Sequence, residues 1–254
     1  MKDSELLQSG RDFYDGLYSQ DVAEEARWLE FGVPSKTDSI EQLLARAGIK
    51  PRSVLEIGCG TGGILRELQR REIGTELFGV DYSESAISYA RSESRGIEYF
   101  SGDVTDSGLA LPREHFDVVV VSHVLEHLEN PGELLSKMKR LSFGAMIAEV
   151  PLDDLPVSRL KGLVRDKRVN FAGHVQFFTA RSFRKLLVAN GFRIFCARRY
   201  TPVSSLESIR FASRRNRASR LRALFSEAVG HYFPKYVPLW SQLYYAHYAA
   251  LCMK

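Results

Sequence analysis

The chain is short of three things that would narrow its class at once. Cysteine is scarce: Cys59, Cys196 and Cys252 are three in 254 residues, odd in number and widely spaced. That excludes a disulfide framework and offers no zinc-knuckle pairing. Long apolar runs are missing. Stretches such as Val118 to Val121 are far too short to span a bilayer, and Met1-Lys2-Asp3-Ser4-Glu5 leads into no hydrophobic signal segment. The expectation is a soluble, cytoplasmic protein that does not enter membranes. An excess of one charge is also missing, with 35 basic residues against 31 acidic ones. The basicity is local: residues 209 to 222 (IRFASRRNRASRLR) hold six arginines and no acid, which takes the rest of the chain from +4 to −2. A whole-surface polycation for nucleic acid is thereby disfavoured, and a single basic patch is what remains.

What is present is globular composition, 44% apolar and 26% charged, at a length that suits one large α/β domain with insertions as well as two small ones. The first forty residues are polar and aromatic and read as short helices leading into a core. Asp38 and Glu41 have capping-box spacing, and Ile40, Leu43, Leu44 and Ala47 build one apolar face, so a helix is expected from Asp38 to Gly48. From Ser53 the pattern becomes strand, turn, helix, repeated. Strands are expected at 54–57, 77–80, 97–100, 116–121, 145–150 and 192–197, with helices at 64–71, 85–94, after Asn130-Pro131, and after Thr179. This alternation implies a doubly wound α/β sheet. Residues 152–178 and 201–243 fall outside it and are expected to sit over the carboxyl ends of the strands. Residues 244–252 (YYAHYAALC) suit a helix by the spacing of Trp240, Tyr244 and Tyr248 and a strand by composition. The strand, inserted at the sheet edge, is preferred.

The chemistry begins at Gly58, Gly60 and Gly63, which satisfy G-x-G-x-x-G, with Asp81 lying 21 positions beyond Gly60. That pattern fits a dinucleotide or any adenosine cofactor. Glu56 discriminates, because a carboxylate two positions before the first glycine would repel a pyrophosphate and suits an ammonium group. S-adenosylmethionine has a ribose, an adenine, a sulfonium and an α-amino group, and no phosphate.

Glu56-Ile57-Gly58-Cys59-Gly60-Thr61-Gly62 resembles the first motif of class I S-adenosylmethionine-dependent methyltransferases of the bacterial small-molecule type, and Gly79-Val80-Asp81-Tyr82-Ser83 resembles their ribose motif. Gly102-Asp103-Val104 is similar to the adenine-contacting element, and Phe116 to Leu128, with Ser122-His123-Val124-Leu125-Glu126-His127, to the fourth-strand motif. His174-Val175-Gln176-Phe177-Phe178-Thr179 extends the likeness. The resemblance implies a Rossmann-like sheet of seven strands with the last antiparallel, an N-terminal helical extension over 1–37, and a transferase domain over 38–254. It assigns the methionine portion to Glu56, Cys59 and the Gly58, Gly60, Gly62 backbone, and the ribose to Asp81 beside Tyr82. The adenine falls to Asp103 and Val104, and the methyl group to Ser122 and His123.

Bland readings stand beside these. Asp103 also suits a helix cap or solvated turn. His123 and His127, four apart, resemble a metal pair on a helical turn, yet no third ligand is recognisable, so packing is preferred and no metal is assigned. His174 and His127 are the candidates for a general base; a structural hydrogen bond would explain His174 equally. His115, His231 and His247 have no contextual support. Arg210, Arg214 and Arg217 form either a solvated helix face or one stripe of a lid for an anionic acceptor, with Leu206, Ile209, Leu221, Leu224 and Phe225 as its apolar side. The functional expectation is O-methylation of a small molecule, a sugar or specialised metabolite. An RNA methyltransferase, a nicotinamide oxidoreductase and a non-catalytic cofactor-binding protein are the alternatives. Nucleic acid is a disfavoured partner, and the sequence leaves room for a homodimer.

Overall fold

A computed structural model describes residues 10–103, 111–153 and 173–254, apart from 203, 216–217, 238–239 and 241–245. Two helices come first, α1 (Gly10–Glu30) and α2 (Val33–Ala47). Helix α1 is broken at Asp21, whose backbone leaves the helical region while its Oδ1 accepts the Glu24 N–H at 2.9 Å and so caps the second half. Helix α2 starts five residues earlier than the capping-box spacing predicts. Gly32 is its N-cap and Pro34 lies in its first turn, where a missing N–H removes nothing. Asp38 instead lies mid-helix, and with Glu41 it pairs to Arg71 at 2.6 and 2.9 Å. The predicted end at Gly48 holds, with φ at +66°.

The core then alternates: β1 (Ser53–Ile57), α3 (Gly63–Arg70), β2 (Glu76–Asp81), α4 (Glu84–Ser92), β3 (Ile97–Ser101), β4 (His115–Ser122), α5 (Pro131–Met138), β5 (Ser142–Leu152), α6 (Ala180–Ala189), β6 (Arg193–Tyr200), α7 (Leu206–Arg215), α8 (Arg220–Glu227) and β7 (Ala246–Met253). The seven strands are ordered 3-2-1-4-5-7-6. Strands β1 to β5 pair in parallel, and β7 runs antiparallel to both β5 and β6. The last strand therefore lies inside the sheet, between β5 and β6, and leaves β6 at the edge. Strand β5 reaches one residue, Leu152, into the stretch expected to lie outside the sheet, and Leu152 bridges Phe178. Of that stretch, 154–172 lie outside the described residues.

Strand residues alternate between two cores. Leu55, Ile57, Val119, Val121, Met146 and Ala148 face α5 and α6. Val54, Val118, Val120, Ala145, Ile147, Ala249 and Leu251 face α2, α3 and α4. Continuing the second column by parity brings Glu56, Ser122, Glu149 and His247 to one face, at the carboxyl ends of β1, β4 and β5 and the start of antiparallel β7. Four polar side chains thus crown an apolar sheet. The strand order reverses between β1 and β4, which is where a doubly wound sheet opens a ligand crevice.

Candidate active site

A cavity of about 540 Å³ occupies that crevice, inside the range of about 300–1,000 Å³ usual for small-molecule sites. The turn after β1 forms one wall. Gly58, Gly60 and Gly62 have φ of +72°, +51° and +78°. A side chain at Gly58 would meet Val124, and one at Gly62 the Tyr99 ring, so the turn is bare backbone by both conformation and space. The Gly60 N–H donates to Asp81 Oδ2 at 2.8 Å, and the Ser83 N–H to Asp81 Oδ1 at 3.0 Å. Asp81 therefore ties the end of β2 to the glycine turn while lining the cavity.

Glu56 is the group the fold leaves unanswered. Its side chain is 2% exposed, lines the cavity, and its Oε2 has no partner among the described residues. Burial pushes its pKa up to about 8, against a smaller opposing pull from Lys36. A buried carboxyl that close to neutrality is poised for a cationic ligand. Ser122, on the same sheet face, also lines the cavity, with its Oγ buried and unpartnered among the described residues.

Of the residues singled out in the sequence, Cys59, Gly60, Tyr82, Asp103, His123 and His127 line the cavity. Val104 lies outside the described residues. His174 does not line the cavity; its ring packs against His127 at 5.0 Å, edge to face. Burial lowers the pKa of both imidazoles, that of His174 to about 4, so both are neutral at pH 7. His127 Nδ1 lies 3.1 Å from the Gly173 carbonyl, which makes that nitrogen the donor and leaves Nε2 as the acceptor.

His123 and His127 do not share a helical turn. His123 precedes the short 3₁₀ turn Leu125–His127 with φ of +58°, a left-handed conformation uncommon for histidine. It faces Glu126, with Nδ1 and Oε1 2.9 Å apart at ion-pair distance, and Nε2 lies 3.2 Å from Glu149 Oε1. Burial and Lys36 push its pKa down; the two carboxylates push it up and win. Burial raises Glu126 and the histidine charges overcome it, leaving it at about 2; the same contest holds Glu149 well below the usual carboxylate range. Burial drops His247 to about 4.

Two features escaped the sequence. Tyr18 and Leu29 of α1, with Val33 and Lys36 of α2, close the crevice, and the Tyr18 hydroxyl sits where a Gly60 side chain would project. The N-terminal helices are a wall of the site rather than a lead-in. Glu149 and His247 join His123, although only a lone acid within an apolar run could have signalled Glu149. The arginine segment goes elsewhere. Arg210 pairs with Glu227 at 3.1 Å and Arg215 with buried Glu25 at 2.7 Å. Phe211 stacks on Trp28 of α1 with ring centroids 6.3 Å apart. None of the described arginines of this segment lines the cavity; Arg217 lies outside the described residues. Its apolar side divides, with Ile209 buried and Leu221, Leu224 and Phe225 exposed.

This strand order, this switch-point crevice and an acid-flanked glycine turn define the class I S-adenosylmethionine-dependent methyltransferase architecture. The chain belongs to that family: residues 34–197 match the family described as "Methyltransferase domain". Its cofactor is accordingly S-adenosylmethionine. Over 100 residues, 38% of this chain and 42% of the relative, it is 35% identical to a ubiquinone biosynthesis O-methyltransferase of Thiobacillus denitrificans. The match thus spans about two-fifths of that curated relative's length. Among solved structures, the magnesium protoporphyrin IX methyltransferase of Synechocystis with bound S-adenosylhomocysteine is 19% identical with a TM-score of 0.56, covering 88% of this chain and 84% of that one. A Haemonchus contortus phosphoethanolamine N-methyltransferase in complex with S-adenosylhomocysteine is 17% identical with a TM-score of 0.64, covering 98% and 60%. These likenesses concern the fold. No helix among the described residues is long and apolar enough to cross a membrane.

Proposed function

We propose that this protein transfers a methyl group from S-adenosylmethionine to an oxygen of a small hydroxylated molecule, a sugar or specialised metabolite. The observation that carries the reading is Glu56, buried at the lip of the glycine turn with one oxygen unanswered and a pKa near neutrality. It suits the cofactor's ammonium group as it suits nothing carrying phosphate. The bare turn at Gly58, Gly60 and Gly62, with Cys59 turned into the sheet, receives the rest of the methionine portion. Asp81 is assigned the ribose hydroxyls beside Tyr82, and Asp103 the adenine amino group.

When bound, the cofactor supplies a methyl carbon activated by positive sulfur. The chain's task is therefore mainly alignment. Holding an acceptor in attack geometry supplies about 7–11 kcal/mol, whereas a general base adds about 10²- to 10⁴-fold. Ser122, His123 and His127 form the wall where the acceptor would stand. His127, neutral and on the cavity wall, is the group we assign to take a hydroxyl proton, and His174, whose ring packs against it, acts as a positioning residue. Oxygen is favoured over nitrogen by this neutral base and by the name of the Thiobacillus relative.

Isothermal titration with S-adenosylmethionine and S-adenosylhomocysteine, followed by a screen of phenols, sugars and amines for cofactor-dependent S-adenosylhomocysteine release, tests the proposal. Binding of both ligands and turnover confined to hydroxyl acceptors are expected. Failure to bind either ligand, or turnover only with amines, would overturn it.

A further inference from the structure

Beneath the cavity wall, three potential ligand atoms converge from three strand ends. His123 Nε2 lies 3.2 Å from Glu149 Oε1, His247 Nδ1 lies 3.0 Å from the same oxygen, and the two ring nitrogens are 3.2 Å apart. The register explains the meeting. Ser122 pairs with Glu149 across β4 and β5, Glu149 pairs with Ala249 of β7, and His247 lies two residues away on the same sheet face. Three donors bound to one ion at about 2.0–2.1 Å stand about 3 Å from each other, which is the spacing seen.

Hydrogen bonding alone accounts for the cluster poorly. Glu149 Oε1 is approached by both imidazoles and by the Tyr200 hydroxyl at 2.7 Å. Its Oε2 is buried with no partner among the described residues. A carboxylate oxygen has two lone pairs, yet two ring nitrogens that also face each other and the Tyr200 hydroxyl, itself 3.3 Å from His247 Nδ1, crowd one oxygen while its twin goes bare. Two further features belong to metal sites. The second nitrogen of His123 faces the buried Glu126 carboxylate at 2.9 Å, the outer carboxylate arrangement that orients metal-bound imidazoles. His123 also holds a left-handed backbone at φ +58°, strain of the kind retained where a side chain must be aimed. His123 lines the cavity, which gives an ion its way in.

We propose that His123, Glu149 and His247 form a site for a divalent transition-metal ion, Zn²⁺ by its donor set, opening to the cavity through His123. Two imidazoles and one carboxylate match three-ligand zinc sites that keep a position open, and they disfavour the all-oxygen preference of Mg²⁺ and Ca²⁺. A second group, Glu126, His127 and His174, also falls within metal-binding reach. It is looser, with His127 Nε2 3.9 Å from Glu126 Oε1, and His127 Nδ1 is engaged by the Gly173 carbonyl. The inference goes beyond the transferase reading, since zinc binds or fails to bind whether or not S-adenosylmethionine is present.

The test uses the full chain stripped with a chelator, then titrated with Zn²⁺ in competition with a chromophoric chelator and with Co²⁺ by visible absorption. One ion per chain is expected. Glu149→Gln and His247→Ala should each weaken zinc binding at least tenfold, and Glu126→Gln about 10- to 100-fold. His174→Ala should leave it unchanged. Circular dichroism confirms folding, and His123→Gln, on the cavity wall, carries the same comparison if the deeper variants fail to fold. Absence of binding by the wild-type chain at tens of micromolar free zinc would overturn the proposal. So would loss of the ion in His174→Ala with retention in His247→Ala, which would move it to the neighbouring group.

Discussion

Neutralising Glu56 tests the proposed cofactor site through proton linkage. The unliganded carboxyl has its pKa raised from 4.5 to about 8 by burial, so about a hundredth is ionised at pH 6, a tenth at pH 7 and half at pH 8. If the cofactor's ammonium group requires the carboxylate, apparent affinity scales with that fraction. It should rise about tenfold from pH 6 to 7, about fivefold from 7 to 8, and then level off. At pH 7 binding should release close to one proton, measurable by titration calorimetry in two buffers of different ionisation enthalpy. Stability moves the other way. The folded, unliganded protein keeps a proton that the unfolded chain gives up, so the Glu56 contribution falls as pH rises between 4.5 and about 8. Its full extent is about 5 kcal/mol at 1.36 kcal/mol per pKa unit. Glu56→Gln keeps the shape and removes the titration. It should flatten this pH dependence, stabilise the free protein above pH 8, and weaken cofactor binding there by about 1.5–3 kcal/mol. An equal pH slope in Glu56→Gln would place the titration on a group other than Glu56, and unchanged affinity would refute the role of Glu56.

Other outcomes follow from the same geometry. Gly58→Ala, strained at φ +72° and driven against Val124, should lower stability by about 1–3 kcal/mol in urea unfolding and weaken cofactor binding. Because burial lowers the His127 pKa, the acid limb of kcat/KM should lie below about pH 6.5. His127→Gln should remove that limb and reduce kcat by about 10²- to 10⁴-fold; an unchanged pH profile would dismiss it as base. Arg215→Ala leaves the buried Glu25 carboxylate without its 2.7 Å partner and should destabilise the fold by about 1–3 kcal/mol without changing the affinity of an already folded site. Arg214→Ala, on an exposed helix face, should leave both unchanged, and a strong loss of acceptor binding would restore the arginine lid.

Periodicity made the sheet legible because parallel strands buried on both faces read as continuous apolar runs. Val118 to Val121 and Ala145 to Val150 announce themselves that way. The glycine turn was legible because few residues tolerate its backbone. Helix starts were less so: Asp38 and Glu41 imitate a capping box, yet Pro34 opens the helix earlier and leaves both acids free to pair with Arg71. The crevice wall from Tyr18 to Lys36 was hidden because packing across the sheet, not local spacing, brings α1 and α2 to the glycine turn. His247 was hidden for the same reason. An isolated histidine in YYAHYAAL acquires meaning only when β7 inserts between β5 and β6 and sets it beside Glu149. The arginine cluster misled in the opposite sense, since a conspicuous run of charge is satisfied by Glu227 and Glu25 away from the cavity.

A crystal structure with S-adenosylhomocysteine speaks most directly to the crevice between β1 and β4. The amino group of the ligand is expected within hydrogen-bond reach of Glu56, and its ribose against Asp81. A ligand seated elsewhere, or one whose amino group turns away from Glu56 into solvent, would contradict this placement.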